Sequence, residues 1–441
     1  MAELTRTDMS VQRERALLVG VILPDSTADP MDPLGELRSL AKTAGADVVD
    51  EMTANRHRID AAHYVGSGKA QEIADRAEMN KIDTVLFDND LSPAQVRNLE
   101  EVVQRKVLDR SELILDIFAA HAQTAESRLQ VELAQLEYTY PRLRHMWSHL
   151  ERVAGGATTA AAAVGGIGTR GPGEKQLEID RRLVQKRVSR LKNDIAEIDR
   201  RKIREVRSRK DVYAVCLVGY TNAGKSTLMN LLTGAGVFVA DQLFATLDTK
   251  TARWRLGDGQ TVLLSDTVGF IRDLPHHLVA SFRATLEEAI WADLLIHVAD
   301  ASHPRVQQQV AAVRDVLEEL SCEAGKQMLV LNKIDRLNDP AVRSVLGAKY
   351  PGAVFLSAMT GEGADALIAA VANRAAGAPV RVTLQANCRN GKLMQFIAQH
   401  AQVQSQSFDD ATACIEALMS AKRIDELRRF GKDVRIKSPG G

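Results

Sequence analysis

Three patterns of hydrophobic and polar positions follow one another along the chain. In the first, short apolar runs at 15–23, 47–52 and 84–88 alternate with amphipathic segments. The runs predict buried strands, and the helical spacing of apolar residues from Leu34 to Ala41 predicts a helix. Another helix is predicted over 92–104, with Ser92 as N-cap and Pro93 at its first position. Strands that alternate with helices indicate a small parallel α/β domain.

The second pattern is helical. Apolar residues recur every three or four positions over 129–150 and again, as a heptad seam, over 184–198. Pro141 is expected to kink the first of these helices. Between them lies a segment of Ala, Gly and Thr at 154–168, which has too few large apolar side chains to form a core. We therefore predict an antiparallel helical hairpin with an irregular glycine-rich loop at its tip.

The third pattern returns to alternating strands and helices. From residue 212 onward, five near-continuous apolar runs predict buried strands, and a Gly-Asp-Gly turn at 257–259 predicts a hairpin. The predicted organisation is a disordered tail at 1–14, an N-terminal α/β subdomain at 15–115 and the hairpin at 116–210. A larger α/β domain at 211–375 follows, then a linker at 375–379 and a small α+β domain at 380–437.

Composition and charge narrow the class of protein. A chain of 441 residues with 45% hydrophobic and 26% charged residues is long enough for about three folded domains. Equal numbers of basic and acidic residues, 57 each, exclude a uniformly basic nucleic-acid coat but leave room for a local basic patch. Four widely spaced cysteines argue against a disulfide framework. Without a signal peptide or an apolar run of about 20 residues, we expect a cytoplasmic protein with no stable membrane insertion.

The strongest chemical signal is GYTNAGKS at 219–226, which matches the phosphate-binding motif GxxxxGK[ST]. It follows a predicted strand and opens a predicted helix, as a P-loop does. Backbone N–H groups of such a loop bind phosphate oxygens, Lys225 would reach the β- and γ-phosphates, and Ser226 would ligate Mg²⁺. The nucleotide contacts predicted here are Gly219, Tyr220, Thr221, Asn222, Ala223, Gly224, Lys225, Ser226 and Thr227.

A second motif, DTVG, ends the next apolar run and comprises Asp266, Thr267, Val268 and Gly269. The Asp266 carboxylate is expected to hold Mg²⁺ through water, and the Gly269 N–H to approach the γ-phosphate. Between the P-loop and DTVG, a threonine should close on the metal in the GTP state. We select Thr246 within Phe244, Ala245, Thr246, Leu247 and Asp248. Thr249 and Thr251 compete with it, although Thr251 better fits a plain β-hairpin.

A third motif, NKID, comprises Asn332, Lys333, Ile334 and Asp335. The Asp335 carboxylate can accept both the N1–H and the N2 amine of guanine, whereas adenine would leave it unpaired, so such a site discriminates by ~10⁴-fold or more. Asn332 would bond the base edge and hold the P-loop, and Lys333 would lie along the purine plane. Backbone donors to guanine O6 would come from Ser357 and Ala358, and the neighbouring Met359 is also predicted to bind the nucleotide. The motifs together indicate a translation-factor-type GTPase that binds GTP and GDP.

With these motifs in place, GGIGTRGPGE at 165–174, FATLD at 244–248 and DTVGFIRDLP at 266–275 resemble the HflX family of GTPases. YVGSGK at 64–69 fits as well, and the resemblance extends from about residue 15 to about residue 437. It implies the four-part architecture predicted above. It also implies association with the large ribosomal subunit and a role in splitting or rescuing ribosomes, or in their assembly, under stress.

Two segments outside the GTPase motifs raise the question of RNA contact. Over 170–210 there are fifteen Lys or Arg residues against seven Asp or Glu. The presumed loop tip, Gly168, Thr169, Arg170 and Gly171, would approach RNA closely, whereas the basic helix that follows can equally be a solvated, salt-bridged surface. GSGK at 66–69 lacks the glycine that a second P-loop needs at position 63. We favour a turn before a helix there, and weak phosphate, RNA or ATP binding remains the alternative.

Other functions compatible with the GTPase motifs are help with tRNA or rRNA maturation and, less well, metabolic kinase activity, which NKID and DTVG argue against. We expect a monomer. Asn222 is a candidate K⁺ ligand beside the phosphates.

Phe270 stands where many GTPases place a water-orienting glutamine, so we predict slow intrinsic hydrolysis and stimulation by the large ribosomal subunit. Phe270 would then retract; alternatively it anchors the segment in the core, and His276 or His277 acts instead.

Overall fold

The N-terminal domain is built around a four-stranded parallel sheet in the order β2-β1-β3-β4. The structure, a computed structural model, describes residues 14–24, 26–155, 172–208, 213–237, 243–244, 249–256, 260–272, 288–320, 322–337, 339–376, 379–387, 390–409, 412–420, 424, 427 and 435–437. Strands and helices alternate, as the sequence pattern predicts, in the order β1 (Arg15–Ile22), α1 (Gly35–Thr43), β2 (Asp47–Asn55), α2 (Ser67–Met79), β3 (Thr84–Phe87), α3 (Pro93–Val103), β4 (Lys106–Leu108) and α4 (Arg110–His121).

Local sequence signals account for several boundaries in this domain. The Ser92 side chain accepts a hydrogen bond from the Gln95 amide while the Gln95 side chain accepts one from the Ser92 amide, so a capping box starts α3. The Asp109 carboxylate accepts from the Glu112 amide and caps α4. Consecutive β1 residues alternate between two apolar cores, since Leu18 belongs to the core under α1 and α4, and Leu17 to the core under α2 and α3.

Two long helices follow, α5 (Ala125–Gly155) and α6 (Pro172–Ser208). They contact each other through ion pairs from Arg187 to Glu132 and from Lys192 to Glu137, both at 2.7 Å. The first helix continues past Pro141 and includes the first two residues, Ala154 and Gly155, of the segment expected to be irregular. The rest of the glycine-rich segment, 156–171, lies outside the described residues.

The larger α/β domain has a six-stranded sheet in the order β10-β9-β8-β5-β7-β6, parallel except for β6, which forms the predicted hairpin with β7. The carboxyl ends of the parallel strands meet at one edge, where ligands bind in such sheets. The described elements are β5 (Ala214–Gly219), α7 (Lys225–Thr233), β6 (Lys250–Arg255), β7 (Thr261–Asp266), β8 (Leu294–Asp300), α8 (Val306–Glu319), β9 (Gln327–Asn332), α9 (Pro340–Lys349), β10 (Val354–Phe355) and α10 (Ala364–Ala376).

The C-terminal α+β domain carries an antiparallel sheet in the order β12-β13-β11-β14. The predicted linker at 375–379 is shorter than expected, since α10 includes Ala376 and the next strand starts at Pro379. No described helix combines the length and apolar character needed to cross a bilayer. The elements are β11 (Pro379–Asn387), α11 (Gly391–His400), β12 (Gln402–Asp409), β13 (Thr412–Ser420) and β14 (Arg435–Lys437).

Candidate nucleotide-binding site

The phosphate loop is the turn between β5 and α7. Gly219 ends the strand and Lys225 opens the helix, so the intervening amides converge at a helix N-terminus. Gly224 has a left-handed backbone (φ +91°), and a Cβ atom there would lie 2.4 Å from Asn332 Nδ2. The second glycine of the GxxxxGK spacing is therefore a steric requirement of the fold.

Lys225 is held inside this loop. Its Nζ donates to the carbonyls of Gly219 at 3.2 Å and Tyr220 at 3.1 Å, and the residue is buried. Burial lowers the pKa of Lys225 to about 8, and the Asp266 carboxylate opposes that shift. A desolvated ammonium bonded to neutral carbonyls gains strongly from an anionic ligand, so the loop is prepared for phosphate.

Two side chains with oxygen atoms suited to a cation, Ser226 and Asp266, lie beside Lys225. The Ser226 hydroxyl donates to Asp266 Oδ2 at 2.6 Å and links α7 to the end of β7. The other carboxylate oxygen, Asp266 Oδ1, is buried and accepts no hydrogen bond within the described part of the chain. Burial raises the pKa of Asp266, and Lys225 opposes the rise. An orphaned buried oxygen next to a hydroxyl fits Mg²⁺, which usually takes one or two protein oxygens together with substrate phosphates.

The NKID motif is fastened to the P-loop. Asn332 is 1% exposed; its Nδ2 donates to the Ala223 carbonyl and its Oδ1 accepts from the Ala358 amide, both at 2.9 Å. Lys333 Nζ donates to the Asn222 carbonyl at 2.8 Å. The P-loop, the end of β9 and the loop after β10 therefore form one connected unit, the base side of the site.

Two details of the base side differ from the sequence expectation. The Ser357 amide donates to the Glu362 carbonyl at 2.9 Å, and the Ala358 amide is already bonded to Asn332. Both amides predicted to bind guanine O6 have intramolecular partners in this conformation, so binding the base requires them to share or exchange those partners. Asp335 lies exposed in the short 3₁₀ helix Ile334–Arg336, accessible to a base.

Sequence reasoning missed Asp300, the last residue of β8. Its Oδ2 atom lies 2.8 Å from Lys333 Nζ, and its Oδ1 accepts from the Ser302 amide at 2.9 Å and hydroxyl at 2.6 Å. Asp300 stands at the same sheet edge as Asp266 and Asn332. A carboxylate at the end of the apolar run ADLLIHVAD was the available signal.

Residues 266–272, named switch II here, run beside the P-loop. The Thr221 amide donates to the Phe270 carbonyl at 2.7 Å, and the Phe270 amide donates to the Gly219 carbonyl at 3.1 Å. A Cβ atom on Gly269 would lie 2.6 Å from Thr221 Cα, so glycine permits this close approach. The Phe270 side chain is buried in the core between β5 and β8, with Cys216, Val218, Ala289, Ala292 and Leu295. This placement favours the interpretation of Phe270 as an anchor of switch II.

The N-terminal domain reaches both segments through an interdomain charge cluster, defined as Glu36, Asp88, Arg110, Tyr220 and Arg272. The Tyr220 hydroxyl donates to Glu36 Oε1 at 2.7 Å and accepts from the Arg272 amide at 2.6 Å. Arg272 and Arg110 pair with Asp88 at 2.6 and 2.7 Å. Burial raises the pKa of Asp88, and the two arginines oppose the rise. P-loop and switch II are thus tied to the other domain.

The predicted metal-closing segment at 244–248, named switch I here, contacts the N-terminal domain at Phe244. This residue has a left-handed backbone (φ +55°), and its buried ring meets Phe118 of α4 edge-on, with centroids 4.6 Å apart. Its amide donates to the Thr221 hydroxyl at 3.0 Å, and the Leu243 amide donates to the Thr43 hydroxyl at 3.3 Å. An aromatic residue in this backbone region is strained, and the packing compensates for the strain.

The remaining predicted nucleotide contacts have ordinary structural places. Thr227 lies in the first turn of α7, and Thr267 donates its hydroxyl to the Leu217 carbonyl at 2.7 Å. Val268 and Ile334 are buried. Thr251 bonds the Ser265 hydroxyl across the β6–β7 hairpin at 3.0 Å, which suits its structural interpretation. Residues 64–66 form the expected turn before α2, with Gly66 as N-cap, and residues 67–69 are the start of that helix.

Some predicted residues lie outside the described residues, so the structure gives them no position. They are Ala245, Thr246, Leu247 and Asp248 of switch I, the histidines His276 and His277, and the hairpin tip Gly168, Thr169, Arg170 and Gly171.

A lysine inside a phosphate loop occurs in many nucleotide-binding proteins, but a strand-end asparagine and lysine clamped onto that loop narrow the class to P-loop GTPases. Four family models match consecutive parts of the chain: GTP-binding GTPase N-terminal over 31–119, GTP-binding GTPase Middle Region over 121–209, 50S ribosome-binding GTPase over 214–333 and HflX C-terminal domain over 347–438. The chain belongs to the HflX family of GTPases, and it hydrolyses GTP.

Sequences of individual relatives align with most of this chain. The GTPase HflX of Magnetococcus marinus is 41% identical over 434 residues, which cover 96% of this chain and 98% of that protein. The GTPase HflX of Escherichia coli is 45% identical over 383 residues, covering 86% and 87%. A solved GTP-binding protein from Sulfolobus solfataricus, in complex with GDP, aligns at 23% identity and a TM-score of 0.42, covering 82% of this chain and 98% of that one.

Proposed function

We propose that this protein is a Mg²⁺-dependent GTP switch that associates with the large ribosomal subunit. Its role is the splitting or rescue of ribosomes, or their assembly, under stress; it acts as a cytoplasmic monomer. The observation that carries the proposal is the match of residues 214–333 to a family described as 50S ribosome-binding GTPases. These residues hold the P-loop, switch II and the first two residues of NKID. The curated relatives are themselves named GTPase HflX.

The helical hairpin is the proposed RNA-contacting part. On α6, basic side chains are exposed to solvent at Lys186, Arg187, Arg190 and Lys192. The glycine-rich segment with Thr169 and Arg170 directly precedes that helix in the sequence. Basic side chains contact phosphates without sequence preference, and small residues let the backbone approach structured RNA. Binding should therefore weaken as the salt concentration rises.

Mg²⁺ would be held by Ser226 and by Asp266, the latter mostly through water, with Thr246 of switch I completing the set in the GTP state. When bound there, the ion neutralises charge on the β- and γ-phosphates. The Ser226 hydroxyl already donates a hydrogen bond to Asp266, so the two side chains are close enough to serve the same ion. Asn222, exposed in the P-loop with a left-handed backbone, is the proposed K⁺ ligand. Equal turnover in NaCl and KCl would remove that K⁺ assignment.

Intrinsic hydrolysis is proposed to be slow. The side chain of Phe270 has no hydrogen-bonding group and is buried in the core of the larger α/β domain, called the G domain from here on, so it orients no water. Groups supplied by a partner can accelerate such a reaction ~10³–10⁵-fold. We propose that the large subunit completes the site. Turnover of Phe270→Ala, His276→Ala and His277→Ala, with and without large subunits, separates a partner-supplied group from a histidine in this chain.

Co-sedimentation with purified 30S and 50S subunits and 70S ribosomes is the test, in GDP and in a non-hydrolysable GTP analogue. We expect the protein in the 50S fraction with the analogue and much less with GDP. Light scattering of 70S ribosomes then reports whether splitting follows. Equal sedimentation in both nucleotide states would contradict a GTP switch on the ribosome. Binding to free precursor tRNA or rRNA in place of subunits would favour a maturation GTPase.

A further inference from the structure

Lys333 adopts a conformation that needs support. Its backbone lies in the left-handed region (φ +61°), which is uncommon for a residue with a side chain. The side chain leaves β9 and crosses to the P-loop, where its Nζ bonds the Asn222 carbonyl. A long lysine loses rotamer freedom when fixed in this way. A single bond to a neutral carbonyl offsets little of that loss in water.

Asp300 supplies the missing support. Its Oδ2 forms an ion pair with Lys333 at 2.8 Å, and the two side chains are only 14% and 17% exposed. Two donors from Ser302 fix the opposite oxygen, so the carboxylate cannot rotate freely. The strand register reinforces this arrangement, because Asp300 sits directly beside Asn332 across β8 and β9. The carboxylate is therefore aimed at the lysine before any ligand arrives.

An ion pair that merely joined two strands would not need to touch the nucleotide loop. This pair does, because the same ammonium that contacts Asp300 also contacts Asn222 of the P-loop. Lys333 is also the residue whose side chain is predicted to lie along the purine plane. Lys333 therefore connects the Asp300 carboxylate to the P-loop.

We propose that Asp300 is a positioning residue of the nucleotide site, which orders Lys333 against the P-loop and thereby slows release of the nucleotide. The proposal rests on the nucleotide role of NKID. Because Lys333 lies on the base side, GDP and GTP should be affected equally. Selection of guanine, which depends on Asp335, should not change.

The test compares release of fluorescent mant-GDP and mant-GTP, by stopped flow, from wild type and four variants: Asp300→Asn, Lys333→Met, the double variant, and Ser302→Ala. Asp300→Asn should accelerate release of both nucleotides about tenfold, as expected for loss of a charge-assisted contact. Ser302→Ala, which keeps the ion pair, should stay within about threefold. The double variant should release nucleotide no faster than Lys333→Met alone, because contacts that act as a unit are not additive.

Release from Asp300→Asn at the wild-type rate would overturn the proposal. So would a double variant that is faster than Lys333→Met by the full Asp300→Asn factor, since Asp300 would then act independently of the lysine. The comparison of the double variant with Lys333→Met does not require the single Asp300 variant to fold. Failure of the proposed nucleotide site looks different, because wild type would then bind neither mant-nucleotide.

Discussion

The two sides of the nucleotide site are supported differently. On the base side, Asn332 and Lys333 are fixed by contacts inside the G domain, to Ala223, Asn222 and Asp300. On the γ-phosphate side, the P-loop residue Tyr220 and both switches are held by the N-terminal domain, through the interdomain charge cluster and through Phe118. The base side is therefore held within one domain, whereas the residues predicted to face the third phosphate are held by two.

This difference suggests a division of labour. Changes on the base side should alter how tightly any guanine nucleotide is held. Changes at the domain contact should leave GDP affinity almost intact and act on stability and turnover, because switch contacts to nucleotide depend on the γ-phosphate. Four predictions test that separation.

The largest effect is expected at Asp335. Asp335→Asn replaces the acceptor of the guanine N1–H and N2 amine with a group that offers only one acceptor oxygen, so affinity for GTP and GDP should fall by up to ~10⁴-fold. Xanthine nucleotides, with a different donor pattern, should gain relative to guanine. Isothermal titration with GDP and XDP measures both.

Asp339→Asn is the matched control for Asp335→Asn. Asp339 caps α9 through a side-chain oxygen that asparagine also carries, so its affinity for GDP should remain that of wild type. A wild-type protein that bound ATP as tightly as GTP would contradict the assignment of Asp335.

Arg110→Ala tests the γ-phosphate side from the other domain. Arg110 is almost fully buried and pairs with Asp88 at 2.7 Å and Glu36 at 3.1 Å. Removing one partner of a buried ion pair leaves uncompensated charge, so the free energy of unfolding should fall by about 3–5 kcal/mol. Affinity for GDP, measured on the folded protein, should stay within about threefold of wild type.

Arg38→Ala is the comparison for Arg110→Ala. Arg38 also pairs with two carboxylates of the N-terminal domain, Glu51 and Asp32, but its side chain is 43% exposed. Its loss should lower the free energy of unfolding by about 1 kcal/mol or less. Equal destabilisation by the two substitutions in chemical denaturation would mean that the interdomain cluster is no more important than a surface pair.

The local features of the site follow from sequence, and the contacts between domains do not. The P-loop follows from glycine and lysine spacing between a strand and a helix, and the α3 capping box follows from Ser92 and Gln95. By contrast, Tyr220 and Glu36 are 184 residues apart, as are Arg272 and Asp88. Such pairs depend on how two folded surfaces dock, and no periodicity or short motif encodes that docking.

Asp300 is an intermediate case. Its place at the end of an apolar strand is readable from sequence, and parallel strands bring such ends together. Its partner is not readable, because no sequence signal specifies the left-handed backbone of Lys333 or the ion pair that its side chain forms with Asp300. For Phe270, too, one part of the interpretation follows from the sequence and the other part requires the structure. The missing glutamine is visible in the sequence, but burial of the ring between β5 and β8 is a tertiary fact.

The free energy of unfolding should decrease at acidic pH because of a buried histidine in β8, the strand that ends at Asp300. His297 lies in β8, three residues before Asp300, and burial lowers its pKa to about 3, with Arg314 and Lys225 adding to the shift. Unfolding raises the pKa toward about 6.5, so the unfolded state binds the extra proton between these values. Stability should therefore be complete above pH 6.5 and fall as the pH drops, by up to about 1.4 kcal/mol per unit.

His297→Leu should reduce that slope, measured by urea unfolding between pH 7 and pH 5 with tryptophan fluorescence, which Trp254 in the G-domain core reports. His57→Gln, at an exposed position of the N-terminal domain, is the control and should keep the wild-type slope. An unchanged slope in His297→Leu would place the acid sensitivity elsewhere.

The smallest effect is expected from Phe118→Leu, which changes the γ-phosphate side without altering a residue of the G domain. Leucine keeps an apolar contact with Phe244 but loses the edge-on aromatic pair, worth about 0.5–1.5 kcal/mol. Switch I then has more freedom to lose when it closes over the nucleotide, so GTP turnover at saturation should fall about three- to tenfold, while mant-GDP release stays at the wild-type rate. Phe408→Leu, at an exposed aromatic of the C-terminal sheet, should change neither rate. If Phe118→Leu accelerated mant-GDP release as much as it slowed turnover, the two sides of the site would not be separable, and the N-terminal domain would support the whole nucleotide rather than its third phosphate.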